Sequence, residues 1–456
     1  MTSARAQNPS PQTPVGWYAT VQSASGAVTP SSSYAVVDAT QYTGSDLCAK
    51  INSVFSTYNR TTANGIVVDA RGFSGSALIC GATSPWDNLL GGGSSGFSNT
   101  VLLPAGTITI QKSWILPNWT RLIGQGPKTT LVTAASGFTS DLIDMGTETN
   151  PANNSCLIAS GVWDCPGIVI EHLGIVGSGS GNGIVNCCAQ ELSRVSDVSI
   201  SNVTTGLALT DMFAQNSGPY TNLTISAVNK CLVIGPAMAT NIMTDTRGVH
   251  GLACSVSSTA SLAAITIDGP NNSLEDISIS GASKTTTDGI LIGSQASAQG
   301  NTLFNIQGSG LKNVVHLSNH SATSVGTGNC PFPSNTVYNV CDITIFGVNA
   351  GTGTNAVQDD LTGSTIVDST VAMYVLGEIV AANTSNIGYS RYTTALATGD
   401  VNTTPWLVGP NAPPAGSCPV GTLYSCTGSS TSCTRSGVAA TLWECVGGST
   451  QWTKVQ

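Results

Sequence analysis

Charge is what this chain has least of: of 456 residues only 9% are Asp, Glu, Lys or Arg, against roughly 25% in an average globular protein. The 15 Lys and Arg are spread thinly, without a basic run. A row of phosphates would go unneutralised, so nucleic acid is excluded as a partner. No stretch approaches the roughly 18 consecutive apolar residues of a membrane-spanning helix. The nearest, residues 371–382, is short and interrupted by Glu378, so no transmembrane segment is expected. None of the 14 Cys lies in Cys-x-x-Cys spacing, which argues against structural zinc and thioredoxin-like sites.

What is present points to a folded, exported chain. Hydrophobic residues make up 41% and the net charge is -9, which is not the charged, aliphatic-poor signature of disorder. Ser, Thr and Asn must supply the polar surface. An even number of Cys fits an oxidising compartment. Local bridges are expected for Cys48 with Cys80, Cys156 with Cys165, and Cys330 with Cys341, while adjacent Cys187 and Cys188 point to opposite sides and take different partners. Ala4-Arg5-Ala6 before Gln7 has the small-x-small form of a signal-peptidase site. The expectation is a secreted or cell-surface protein whose targeting segment is already missing.

Between residues 167 and 377 one short phrase recurs: alternating Val, Ile or Leu, closed by Gly, Asn, Asp or Ser. Instances are Ile168-Val-Ile-Glu-His-Leu, Val198-Ser-Ile, Leu223-Thr-Ile, Leu232-Val-Ile, Ile265-Thr-Ile, Ile277-Ser-Ile and Ile290-Leu-Ile. Each alternates, so one face of each is apolar. Starts mostly roughly 9 to 16 residues apart leave no room for a helix between strands, and the varied corners do not suit hairpins. The chain therefore reads as all-β, a parallel β-helix solenoid over residues 36–400. A flexible leader (residues 1–35) precedes it, and a linker (401–415) leads to a small Cys-rich β module (416–456). Residues 46–58 form the one good amphipathic helix, with Leu47, Ile51, Val54 and Phe55 on one face and Ser45 as N-cap. Placed before the first rung, it would cap the open end of the coil.

Next in order come Gly65-Ile-Val-Val-Asp, Leu103-Pro-Ala-Gly-Thr and Leu116-Pro-Asn-Trp-Thr-Arg-Leu-Ile-Gly-Gln-Gly. This order resembles the opening of right-handed parallel β-helix domains of the pectate-lyase-like superfamily, most closely its secreted bacterial members. The likeness is specific over residues 36–135 and continues to about residue 395 only as a rung pattern. It implies the right-handed fold and a polysaccharide setting, not a reaction. In the C-terminal module Cys418, Cys426, Cys433 and Cys445 would make two disulfides, and Tyr424, Trp443 and Trp452 read as a mini-core.

The densest polar cluster outside the apolar runs is Asp245-Thr-Arg-Gly-Val-His-Gly. Asp245, Arg247 and His250 are the candidate catalytic residues: Arg to hold a carboxylate, His to move a proton near neutral pH. Gly248-Val-His-Gly resembles the Gly-His-Gly of polygalacturonases with one residue inserted, but the Arg-x-Lys of that family is absent. Tyr220 is a candidate for stacking on a sugar. Stacked rungs could bring Asp268 or Asp276 to the same corner, a carboxylate set for substrate or for calcium, although no cofactor is required. Glu171-His172 lies inside a strand run, where alternation lets only one of the two face solvent.

Two functions compete. One is a polysaccharide lyase or glycoside hydrolase; the other is a non-catalytic structural, adhesive or glycan-binding rod. Few Lys and Arg in the coil count against a uronate polymer. A neutral glycan needs only two carboxylates and some aromatic platforms. A homo-oligomer is compatible with either.

Overall fold

The computed structural model describes residues 35–58, 65–89, 98–146, 165–186, 189, 192–210, 217–235, 248–259, 261–294, 298–318, 340–341, 343–351, 354–359, 372–376 and 379–381, and in the C-terminal part 406–409, 423–426, 434–435, 438–439, 442–445 and 452–454. Twenty-two strands join one sheet, and its pairings are parallel throughout, as in Arg194–Leu209 beside Tyr220–Ile234. The chain winds as a parallel β-helix, each strand stacking in parallel on the one a turn earlier.

Two ladders run along the coil. The first includes Thr120–Ile123, Val169–Val176, the opening halves of Arg194–Leu209 and Tyr220–Ile234, then Val249–Val256, Ser273–Ser280, Thr302–Ser309 and Thr344–Ala350. The second takes the closing halves of the two long strands and continues through Ala263–Ile267, Asp288–Ile292, Asn313–Leu317 and Asn355–Asp359. Register sets like upon like. Leu173, Val198, Leu223, Leu252, Ile277, Ile306 and Val348 form one buried column. Ile143, Ile184, Leu207, Leu232, Ile265, Ile290, Val315 and Val357 form another. These columns are the core, and aliphatic alternation in the sequence is their cause.

The helix Leu47–Thr57 buries Leu47, Ile51, Val54 and Phe55. Its N-cap is Asp46, whose carboxylate accepts from the Ala49 amide at 2.9 Å. Ser45 instead donates to Asp46 Oδ2, because the ionised oxygen is the stronger acceptor for exposed amides. Cys48 is bonded to Cys80, tying the helix to the coil as the spacing suggested.

A second disulfide, Cys231–Cys254, was not anticipated. It links a second-ladder strand to a first-ladder strand one rung on, a neighbourhood created only by coiling. Cys165 and Cys426 are also disulfide-bonded, with partners outside the described residues. The side chains of Cys156, Cys330, Cys341, Cys418, Cys433 and Cys445 lie outside them too. In the C-terminal part, Trp406–Gly409, Leu423–Cys426, Leu442–Cys445 and Trp452–Lys454 form a four-stranded sheet. Tyr424 and Trp443 face each other in register and are buried, as a mini-core requires.

Candidate functional site

One backbone feature creates the candidate site. The residue before each member of the first buried column is left-handed: His172 (φ 58), Asp197 (φ 52), Asn222 (φ 53), Gly251 (φ 70), Asp276 (φ 55), Asn305 (φ 52) and Gly347 (φ 73). Asn, Asp and Gly dominate because they tolerate this region best. A left-handed residue breaks the two-residue alternation, so two consecutive side chains leave the core. Glu171 and His172 are both outside, as are Glu275 with Asp276 and Phe304 with Asn305. The expectation that only one of Glu171 and His172 could reach solvent is corrected here: it assumed an unbroken strand.

The outward residue preceding the left-handed one forms a column of its own, Glu171, Ser196, Thr221, His250, Glu275 and Phe304. Phe346 and Tyr374 occupy the next two register positions. Within this lane His250 Nδ1 lies 3.0 Å from Glu275 Oε2, with side chains 36% and 43% exposed, so the pair is open to a ligand. On the neighbouring column Asn305 Nδ2 donates to Asp276 Oδ1 at 2.6 Å, and His172 Nδ1 meets Asp197 Oδ2 at 2.6 Å. Phe304 is 41% exposed, one rung beyond Glu275. A Cβ at Gly248 would fall 2.6 Å from His250 Nε2; a bare backbone there is what lets the ring settle.

At the other end of the lane Glu171 accepts from Arg121 at 3.2 Å and from Arg194 at 3.0 Å. Partial burial pushes the Glu171 carboxyl up, but Arg194 and then Arg121 outweigh it and hold it below its ordinary range. Both guanidiniums are thereby committed to one carboxylate.

Of the candidates from the sequence, His250 lies on this lane and Asp276 on the column beside it. Asp245 and Arg247 fall outside the described residues. Tyr220 is corrected: it is fully buried, donates to Ser217 Oγ and accepts from Asn186 Nδ2, each at 2.8 Å. Burial pushes its hydroxyl up to about 12, against the two hydrogen bonds. Its place in the strand turns it inward, so it holds the core and stacks on no sugar. Tyr220→Phe should cost roughly 1–3 kcal/mol of stability, the penalty of removing a hydrogen-bond partner from buried Ser217 and Asn186; a denaturation curve checks it.

Asp268 is likewise corrected. It is 5% exposed and accepts from Ser294 Oγ at 2.8 Å, so a ligand on the lane does not reach it. Glu275 and Phe304, which the lane also presents, were not among the candidates read from the sequence. The signal was present in the aligned phrases Val249-His-Gly-Leu, Leu274-Glu-Asp-Ile and Leu303-Phe-Asn-Ile.

Asp46, Cys48 and Cys80 converge closely enough to suggest a metal. Their chemistry does not fit one, because the two sulfurs are bonded to each other and Asp46 caps the helix. A cleft of about 880 Å³ is lined by Gln111, Ser113, Ser136, Phe138 and Ser140. Lys112 is the single titratable group among its described lining residues, and it pairs with Asp87 at 2.8 Å.

Asp144 stands apart. Burial, then the charge of Asp141, pushes its carboxyl up to about 7. The folded state thus holds a proton that the unfolded chain, titrating near 3.9, has released. Stability should fall as pH rises from about 4 to about 7 and level off above. Asp144→Asn should flatten that slope in melts taken across the range.

No protein-family model matches the chain, and no curated protein matches its sequence. Among solved structures, it is similar to the mannuronan C-5 epimerase AlgE4 A-module of Azotobacter vinelandii, with 14% identity, 63% of this chain and 91% of that chain covered, and a TM-score of 0.29. It is also similar to the gp42 tailspike of Acinetobacter phage vb_AbaP_AS12, with 11% identity, 86% and 82% covered, and a TM-score of 0.37. Neither likeness transfers an activity.

Proposed function

We propose that this chain acts on a polysaccharide laid on the outer lane of its first ladder, with His250 and Glu275 as the acid–base pair. The observation that carries this reading is the exposed Phe304 one rung from a hydrogen-bonded imidazole and carboxylate. An aromatic face suits the apolar face of a sugar ring, and Asp276, Asn305 and Glu275 beside it suit hydroxyls.

Glu275 accepts from His250 Nδ1, fixing the tautomer and leaving Nε2 to take or give a proton. Asp276, held by Asn305, supplies a second carboxyl group on the same face. Hydrolysis of an uncharged glycan fits this set best, since it needs a proton donor at the leaving oxygen and a carboxylate for water or for the sugar. Elimination from a uronate would need a cation on the substrate carboxylate. Arg121 and Arg194 are committed to Glu171; Arg247, three residues before His250, is the side chain that would serve. No step requires calcium.

The second reading, a binding-only rod exported to the cell surface or medium, is favoured by the openness of the His250–Glu275 pair, whose side chains are 36% and 43% exposed. One experiment separates them: purified protein with neutral and uronate polysaccharides, read by reducing-end release and by absorbance of unsaturated uronate. Reducing ends lost in His250→Ala support hydrolysis, and unsaturated product supports elimination. Binding without product, unchanged in His250→Ala, would discard the acid–base pair.

A further inference from the structure

A second left-handed column lies at the corner just before the first ladder. Counting back two residues from the Arg121, Val169, Arg194 register gives Trp119 (φ 58), Gly167 (φ 70) and Leu192 (φ 61). Elsewhere such positions hold mostly Asn, Asp or Gly. Here two large apolar residues occupy them, each at a conformational cost on the order of 1–3 kcal/mol, and both keep a substantial exposed face: Trp119 is 38% and Leu192 54% exposed. Trp119 is nonetheless fixed. Its amide donates to Pro166 O at 2.8 Å, and its carbonyl accepts from Asn99 N at 3.0 Å. The indole lies against Gly167, where a Cβ would come within 2.5 Å of Cε3. A flat ring is thus backed by bare backbone.

Single exposed apolar residues are ordinary on protein surfaces. A strained and backbone-supported Trp, with a second strained and exposed Leu two rungs on in the same column, is not. We infer that Trp119, with Leu192, forms a remote stacking subsite for the same polymer, so that the glycan crosses the rungs obliquely from Trp119 to His250 and on to Phe304. This deepens the functional reading above and rests on it. Trp119 precedes the rung that carries His250 by four rungs, about 19 Å, and lies four residues back along the strand, about 13 Å. The combined span of about 23 Å is too long for a disaccharide and within reach of a long chain.

The test is a length series. A neutral polysaccharide bound by the wild type and its short oligosaccharides are titrated against wild type, Trp119→Asn, Trp119→Ala and His250→Ala. Asn suits the left-handed backbone, so Trp119→Asn should melt no lower than Trp119→Ala. Long-chain affinity should fall about tenfold, the scale of one aromatic platform, with short-oligosaccharide binding unchanged. Equal loss at every length, or no loss at any, overturns the subsite while the functional reading stands. Wild type that binds no glycan overturns both.

Discussion

Glu275→Gln should lower polysaccharide turnover by about 10²–10⁴-fold, the usual weight of a positioned acid–base group, with little change in substrate affinity. The side chain keeps its length, and its neighbours Asp276 and Phe304 keep their places. What is lost is the carboxylate 3.0 Å from His250 Nδ1. A carboxylate holds one tautomer and stabilises the imidazolium when Nε2 takes a proton; an amide can present either a donor or an acceptor and stabilises no charge. The measurement is kcat and KM for Glu275→Gln and His250→Ala together with the double variant. Because the two groups act as one unit, the double variant should be little worse than either single one. Additive losses, or full activity in Glu275→Gln, would remove Glu275 from the mechanism and leave the lane as a binding surface.

The second large effect belongs to the coil itself. Replacing Cys231 and Cys254 together by Ala should cost about 3 kcal/mol, the loop-closure value for a bridge spanning 23 residues. The cysteines are 0% and 5% exposed, so Ala leaves no stranded hydroxyl in the core, which Ser would. The bridge joins the rung before the His250 strand to that strand. Its loss should therefore show as a lower denaturation midpoint and as earlier hydrogen exchange of residues 249–256. An unchanged midpoint would mean that the stacked aliphatic columns alone hold these rungs. The single variants are less informative, since each breaks the bond yet leaves an unpaired thiol in the core.

The fold class was legible in the sequence because a β-helix core is built from local pattern. Leu-x-Ile phrases put their apolar side chains on one face wherever they fall, and tight spacing leaves stacking as the way to bury that face. The capping helix was legible for the same reason: Leu47, Ile51, Val54 and Phe55 share a face whatever lies beneath them. The Cys48–Cys80 bridge was legible as a pairing between the helix and the start of the coil. Cys231–Cys254, although only 23 residues apart, was not, because its two sulfurs sit on different ladders and meet only once the coil is wound.

The site was only half legible, and Tyr220 and Glu275 show why. Both lie beside turn-forming residues and look alike to a reading by composition. Register decides between them: Tyr220 falls on the inward side of its strand, where Asn186 and Ser217 satisfy its hydroxyl, while Glu275 falls on the outward column under His250. Strict alternation would have hidden one of each neighbouring pair, and the left-handed residues at His172, Asp197, Asn222, Asp276 and Asn305 overturn it. By itself, then, the amino-acid order determined that aliphatic strands must coil and bury one face, because hydrophobic periodicity acts locally. Which polar side chains meet was decided by the tertiary structure, because residues 25 apart, such as His250 and Glu275, become neighbours only when one turn of the coil is laid on the next.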